Sequence, residues 1–192
     1  YLIMKKIISF IIAAVFAVGS AFAANDLLDF EGVAGLNIAN VDASGYNSRI
    51  GFHVGVRGTY AFQSKDNGLY ANGAAQFSLL GTKDGGTTYN PYYLVFPIHM
   101  GYKRTLVEDV AVFGEFGPYF SVGLFGRADG QNLFSKDGKD VNRFDVGLGL
   151  RFGFEFAKKC SVSFGYDFGL VDVQDSESAK TRNASISVGY KF

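Results

Sequence analysis

The chain has 192 residues with 18 basic and 18 acidic side chains, so no net charge draws it to nucleic acid or to an acidic partner. Its 25 glycines, 20 phenylalanines and 11 tyrosines, against 3 prolines and no tryptophan, suit strands joined by tight turns. The single cysteine, Cys160, excludes an internal disulfide and reads as a structural turn residue.

The amino terminus reads as a targeting segment. Tyr1-Leu2-Ile3 precede Met4 and read as a start-site artefact. Lys5 and Lys6 then form a basic region, Ile7 to Val18 an apolar run, and Ala21-Phe22-Ala23 a small-x-small cleavage pattern. The run is too short to cross a hydrocarbon core of about 30 Å. Residues 1–23 are therefore expected to be a signal peptide cut after Ala23, leaving a domain over 24–192. Losing Lys5 and Lys6 takes the 18 basic residues to 16 against 18 acidic, a net charge of −2.

Eight segments then alternate with period two. Phe30, Gly32, Ala34, Leu36 and Ile38 oppose Glu31, Val33, Gly35 and Asn37. Ile50, Phe52, Val54, Val56, Tyr60 and Phe62 oppose Gly51, His53, Gly55, Arg57 and Thr59, ahead of a turn ending in Asn67-Gly68. Leu69, Ala71, Ala75, Phe77 and Leu79 face away from Tyr70, Asn72, Gln76 and Ser78. In the fourth segment, Tyr92 to Tyr102 oppose Tyr93 to Lys103, with Pro97 expected to force a bulge. The fifth sets Val110, Val112, Phe116, Phe120, Val122 and Leu124 against Glu115, Gly117, Tyr119 and Ser121. In the sixth, Phe144 to Phe156 oppose Arg143, Asp145, Gly147, Gly149, Arg151, Gly153 and Glu155. The seventh sets Val162, Phe164, Tyr166, Phe168 and Leu170 against Ser161, Ser163, Gly165, Asp167 and Gly169. The eighth sets Ala184, Ile186, Val188, Tyr190 and Phe192 against Asn183, Ser185, Ser187, Gly189 and Lys191.

The connections alternate in length. Gln63–Gly68, Thr105–Asp109 and Ala157–Cys160 are short, whereas 41–48, 81–90, 126–142 and 173–181 are longer and more polar. Short periplasmic turns, long outer loops and an even strand count are the pattern of a bacterial outer-membrane barrel with both termini periplasmic. The soluble alternatives, a sandwich or a lipocalin-like barrel, fit less well. The apolar faces run unbroken, and Phe30, Tyr60, Phe62, Tyr102, Phe154, Phe156, Tyr190 and Phe192 gather at one level as an aromatic girdle. The expected fold is an all-β, eight-stranded antiparallel up-and-down transmembrane barrel in the outer membrane of a Gram-negative cell.

The inward face would hold Glu31, Arg57, Lys103, Glu115, Asp145, Arg151, Glu155, Asp167 and Lys191, with His53 and His99. Eight strands leave room only for side chains, and buried charges must pair, so these residues are expected to form an ion-paired plug. Catalytic signals are weak. Neither histidine has a serine two positions on, although a Ser-His site can still form across strands. No metal spacing or phosphate loop is present, so no enzyme activity and no cofactor are expected. The last strand, ending in Tyr190 and Phe192, should close the barrel against the first.

Gly32-Val33-Ala34-Gly35-Leu36-Asn37, Gly51-Phe52-His53-Val54-Gly55, Tyr93-Leu94-Val95-Phe96-Pro97-Ile98, Glu115-Phe116-Gly117-Pro118-Tyr119, Phe144-Asp145-Val146-Gly147-Leu148-Gly149 and Val188-Gly189-Tyr190-Lys191-Phe192 together resemble PorT-type outer-membrane β-barrel domains. The architecture is also similar to OmpX-type barrels. The resemblance implies folding by the outer-membrane assembly machinery, with Tyr190 and Phe192 similar to its recognition signal. It also implies a structural, surface-interaction or secretion-associated role. The expected surroundings are outer-membrane lipid and lipopolysaccharide, with a monomeric barrel and an extracellular ligand docking on the 126–142 loop. A narrow pore is the second reading, and a lipid-modifying enzyme the third.

Overall fold

A computed structural model of the chain describes residues 26–42, 46–84, 87–128, 131–133, 142–174 and 177–192. The expected signal peptide, with Ala21 and Ala23, lies outside the described residues. The strands are β1 (Leu28–Val41), β2 (Tyr46–Ala61), β3 (Gly68–Leu79), β4 (Thr82–Asp84), β5 (Thr87–Val107), β6 (Val110–Ala128), β7 (Gln131–Asn132), β8 (Phe144–Phe156), β9 (Cys160–Gln174) and β10 (Glu177–Lys191). Eight of them are the staves of an antiparallel up-and-down barrel, and β4 and β7 are short additions at one end.

Closure depends on β10. One edge pairs with β9, and the other pairs with β1 from Lys191↔Glu31 to Thr181↔Val41. Phe192 continues the ladder by donating its N–H to the Phe30 carbonyl at 3.2 Å. Among the described residues no stave keeps an open edge, so outside the rungs around Pro97 the wall pairs its backbone between strands, as a hydrocarbon surrounding requires.

The alternation puts charge inside and hydrocarbon outside. Ile50 is 67% exposed and Leu150 and Phe164 54%, whereas Arg57 is 3% and Glu115 4%. An apolar surface that wraps the whole barrel far exceeds what a soluble monomer tolerates, and lipid is the solvent that suits it.

Four expectations change. Pro97 causes no bulge: Gly73↔Ile98 and Gln76↔Val95 keep one register with β3, and Phe96↔Phe120 and Met100↔Phe116 keep one with β6. Without its N–H the proline drops rungs to β3 but shifts nothing. The β5–β6 register shifts instead at Leu124, where Tyr92↔Phe125 is followed by Tyr93↔Gly123, and again between Thr105↔Ala111 and Val107↔Val110.

The polar connections are shorter than their composition suggests. β4 pairs with both β2 and β5, through Thr82↔Ser48 and Thr82↔Tyr89, and β9 and β10 run on to Gln174 and Glu177. Threonine and tyrosine favour strand whether or not the surrounding is apolar, so the sheet continues past the membrane. At about 3.3 Å per residue the 21 residues of β5 extend well beyond the roughly 10 needed to span lipid.

Cys160 is the exposed first residue of β9, not part of the turn. The turn is Ala157-Lys158, both at positive φ (49° and 57°), closed by Lys159 N–H to the Phe156 carbonyl at 3.1 Å. Two consecutive left-handed residues match the twist of a tight hairpin.

The aromatic girdle, finally, is not confined to one level. Phe77, Tyr92 and Phe125 cluster towards the loop end, with ring centroids 4.9 to 6.2 Å apart.

Candidate functional site

The interior has two layers of different chemistry. Near the end that carries the termini, the layer is ionic. Arg57 Nη1 lies 2.8 Å from Glu31 Oε1 and 3.9 Å from Glu115 Oε1. Register places the first pair, because Glu31 and Arg57 share a rung of β1 and β2. Tyr70 donates its hydroxyl to Glu115 at 2.9 Å, and His99 Nδ1 lies 3.6 Å from the other Glu115 oxygen. Tyr70 can lie across the bore because its neighbour on β5 is Gly101. A Cβ there would sit 2.4 Å from the ring.

Below these, Glu155 is held by Lys103 at 3.1 Å and Lys191 at 2.7 Å, and Lys191 also reaches Asp29 at 3.1 Å. Lys65, from the β2–β3 turn, bonds the same Asp29 at 2.6 Å and the Leu28 carbonyl at 3.2 Å, so that turn leans over the mouth. The neighbouring Asp66 bonds Lys158 at 2.9 Å, which raises the pKa of that exposed ammonium above its ordinary value.

Towards the loop end the layer is mostly neutral. Asn37 donates through Nδ2 to Ser78 Oγ at 2.8 Å and to the carbonyls of Phe52 and Leu79 at 3.1 and 3.3 Å. Its Oδ1 faces His53 Nδ1 at 2.8 Å, and His53 Nε2 meets Ser187 Oγ at 2.9 Å. Asp145 accepts from the Tyr119 hydroxyl at 3.0 Å and Asp167 from the Asn183 amide at 3.1 Å. Arg151 is buried with Nε and Nη1 lacking hydrogen-bond partners.

Two small cavities sit within these layers. One of about 40 Å³ is bounded by Asp29, Glu31, Arg57, Lys103 and Lys191, and one of about 20 Å³ by His53, Gln76, Arg151 and Asn183. A water needs roughly 10 to 15 Å³, so these spaces suit a few waters. Above the second, Leu133 is 1% exposed and packs against Tyr93, with Leu80, Tyr89 and Val95 around it.

Of the inward residues expected from sequence, Glu31, Arg57 and Glu115 meet in one cluster and Lys103, Glu155 and Lys191 in another. Asp145 and Asp167 bond neutral partners instead of cations. Asp29 was missed although it shares the parity of Glu31. Lys65 and Leu133 carried no signal, because both enter the bore from connections.

The model of the outer membrane protein β-barrel domain family matches residues 8–192. The chain belongs to that family. Its members' architecture matches the closed barrel, and the chain is accordingly an integral outer-membrane protein of the bacterial type. Among solved structures, the family fold recurs in the outer membrane enzyme PagL, 13% identical, with a TM-score of 0.58 over 83% of this chain and 98% of that one. It recurs too in Neisserial surface protein A, 16% identical, with a TM-score of 0.53 over 85% and 97%. Outer membrane porin G of Escherichia coli (strain K12) is 34% identical over 77 residues, 39% of this chain and 24% of that protein. The chain thus matches about a quarter of the length of that curated relative.

Proposed function

We propose that the protein is a closed-bore barrel with a structural or surface-interaction role, and that it catalyses no reaction as its main task. The observation that carries this reading is the filled interior: among the described residues, paired charges and hydrogen-bonded polar groups occupy the bore, and the two cavities between them are small. The short-turn end and both termini face the periplasm in this reading, and the β4 and β7 end faces the cell exterior. The barrel acts as a monomer in lipid and lipopolysaccharide. Its last strand, through Tyr190 and Phe192, is the handle for the assembly machinery. The 126–142 loop, pinned by Leu133 under the rim, presents the contact surface, and the PorT-type resemblance makes a secretion or assembly complex the favoured partner. Supporting it, the Leu133 N–H is bonded to the Gly126 carbonyl at 3.1 Å, so the base of that loop is held by the barrel.

The deciding experiment is planar-bilayer recording from the pure, folded protein. The expected result is no sustained conductance. Large, long-lived, ion-selective currents would overturn the reading in favour of a narrow pore, the alternative that the partial match to porin G supports. Crosslinking from the 126–142 loop in intact cells would identify the partner.

A further inference from the structure

The loop-end aromatics form a continuous surface on the lipid side of the wall. Phe52, Phe77, Tyr92 and Phe125 come from the neighbouring strands β2, β3, β5 and β6. Their ring centroids stand in line, Phe52–Phe77 at 6.4 Å, Phe77–Tyr92 at 5.5 Å and Tyr92–Phe125 at 4.9 Å. The register shift at Leu124 builds the last contact. Even positions of β6 face lipid up to Leu124, so unbroken alternation would turn Phe125 into the bore. The extra residue leaves Leu124 40% and Phe125 48% exposed side by side, and sends Gly126 inward against Leu133. Arg127 then emerges exposed on the lipid side, and no side chain among the described residues pairs with it.

Height in the wall fixes what this surface meets. Tyr92 lies 10 residues along β5 from Tyr102 of the opposite girdle. At about 3.3 Å per residue and a tilt of about 40°, that is a rise of about 25 Å, the height of the apolar band of an outer-membrane barrel. The rings therefore sit at the edge of the hydrocarbon. Arg127, two residues beyond Phe125, stands about 5 Å further out, at the level of lipid headgroups. The β9–β10 face differs. Arg182 lies over the Phe168 ring at 5.9 Å, but its Nη2 is bonded to Asp42 at 3.1 Å and its Nη1 to the Gly169 and Thr181 carbonyls.

We propose that Phe52, Phe77, Tyr92, Phe125 and Arg127 form a binding site for one phosphorylated glycolipid of the outer leaflet, the lipid A part of lipopolysaccharide. Its acyl chains lie on the stiff aromatic surface, and Arg127 donates to a phosphate oxygen on its sugar. Charge complementarity selects the anionic headgroup, because the one cation beside the rings is uncommitted. Occupancy from the outer leaflet deepens, and rests on, the reading that turns the β4 and β7 end to the cell exterior. Binding in detergent does not depend on which way the barrel faces. The site can therefore fail while that orientation stands, whereas protease access to the loop end in intact cells tests the orientation alone.

The test is native mass spectrometry of the folded, full-length chain in detergent. It is titrated with bisphosphorylated lipid A, with the same lipid A stripped of its phosphates, and with phosphatidylglycerol. The parent is expected to bind one lipid A about five-fold more tightly with phosphates than without, the effect of one cation near an anionic surface. It should hold phosphatidylglycerol more weakly than either of these differences would hide. Arg127→Gln is expected to abolish the phosphate preference, Phe77→Leu to weaken both forms of lipid A several-fold, and Arg182→Gln to change neither. Equal binding of the two lipid A forms by the parent would overturn the proposal without recourse to any variant. So would an unchanged preference in Arg127→Gln, an equal loss in Arg182→Gln, undiminished binding by Phe77→Leu, or phosphatidylglycerol held as tightly as phosphorylated lipid A.

Discussion

The two layers of the bore solve the same problem with different chemistry. Near the termini, full charges are held in chains such as Lys65–Asp29–Lys191–Glu155–Lys103, which begins at the half-exposed Lys65 and runs inward. Towards the loops, Asn37, Ser78, His53 and Ser187 are bonded as neutral groups in full burial. Ions lie where the larger cavity and the mouth offer some water, and neutral groups lie where there is little. Desolvating a charge costs several kcal/mol, whereas desolvating an amide or hydroxyl costs less once it is bonded. The Arg57 cluster is the clearest exception, as buried as the neutral layer yet ion-paired, while Asp145 and Arg151 also bring charge into the loop-end layer.

That exception should be the most sensitive place to disturb within the bore, after closure itself. Deleting Phe192 removes its bond to Phe30 and an exposed aromatic of the girdle. Assembly in cells should fall to a small fraction while export continues, measured as outer-membrane against periplasmic protein. Normal membrane levels would show that the terminus is not the assembly signal.

Arg57→Met leaves Glu31 and Glu115 without their cation. The loss should be about 3 to 5 kcal/mol in reversible denaturant unfolding from micelles. Restoring neutrality with Glu31→Gln and Glu115→Gln in the same chain should recover most of it. No recovery would mean that Arg57 acts through shape and not charge.

Asn37→Ala leaves His53 Nδ1 and Ser78 unbonded in the neutral layer, for an expected loss of about 1 to 3 kcal/mol in the same assay. A loss as large as that of Arg57→Met would remove the contrast between the layers. Lys65→Ala, at the mouth, should lose less than about 1 kcal/mol, because its side chain is 36% exposed and water screens the pair. That small effect should shrink further in high salt, and a salt-independent loss would place Lys65 effectively inside.

Why the fold was legible and the site only partly so follows from what a strand encodes. Parity assigns each residue to lipid or bore, so Glu31, Arg57, Glu115, Glu155 and Lys191 could be placed inward from spacing alone. Contact across the bore needs register, and register comes from pairing between strands far apart in sequence. His53 and Ser187 are 134 residues apart, and nothing in either segment announces the shared rung at Gly35. Pro97 misled for a related reason: a missing N–H is visible in sequence, but whether the ladder shifts depends on both neighbours. The Thr82–Asp84 and Thr87–Tyr89 segments read as loop because polarity was taken for irregularity, although outside lipid a polar strand is as stable a choice.

Cys160 is the only thiol in the chain and is exposed at the short-turn end, two residues past the Ala157-Lys158 hairpin turn. It is a natural address label for the orientation of the barrel. A charged maleimide that cannot cross the outer membrane should leave Cys160 unmodified in intact cells and react once that membrane is permeabilised. The sidedness of the protein can thus be read chemically, without altering a residue.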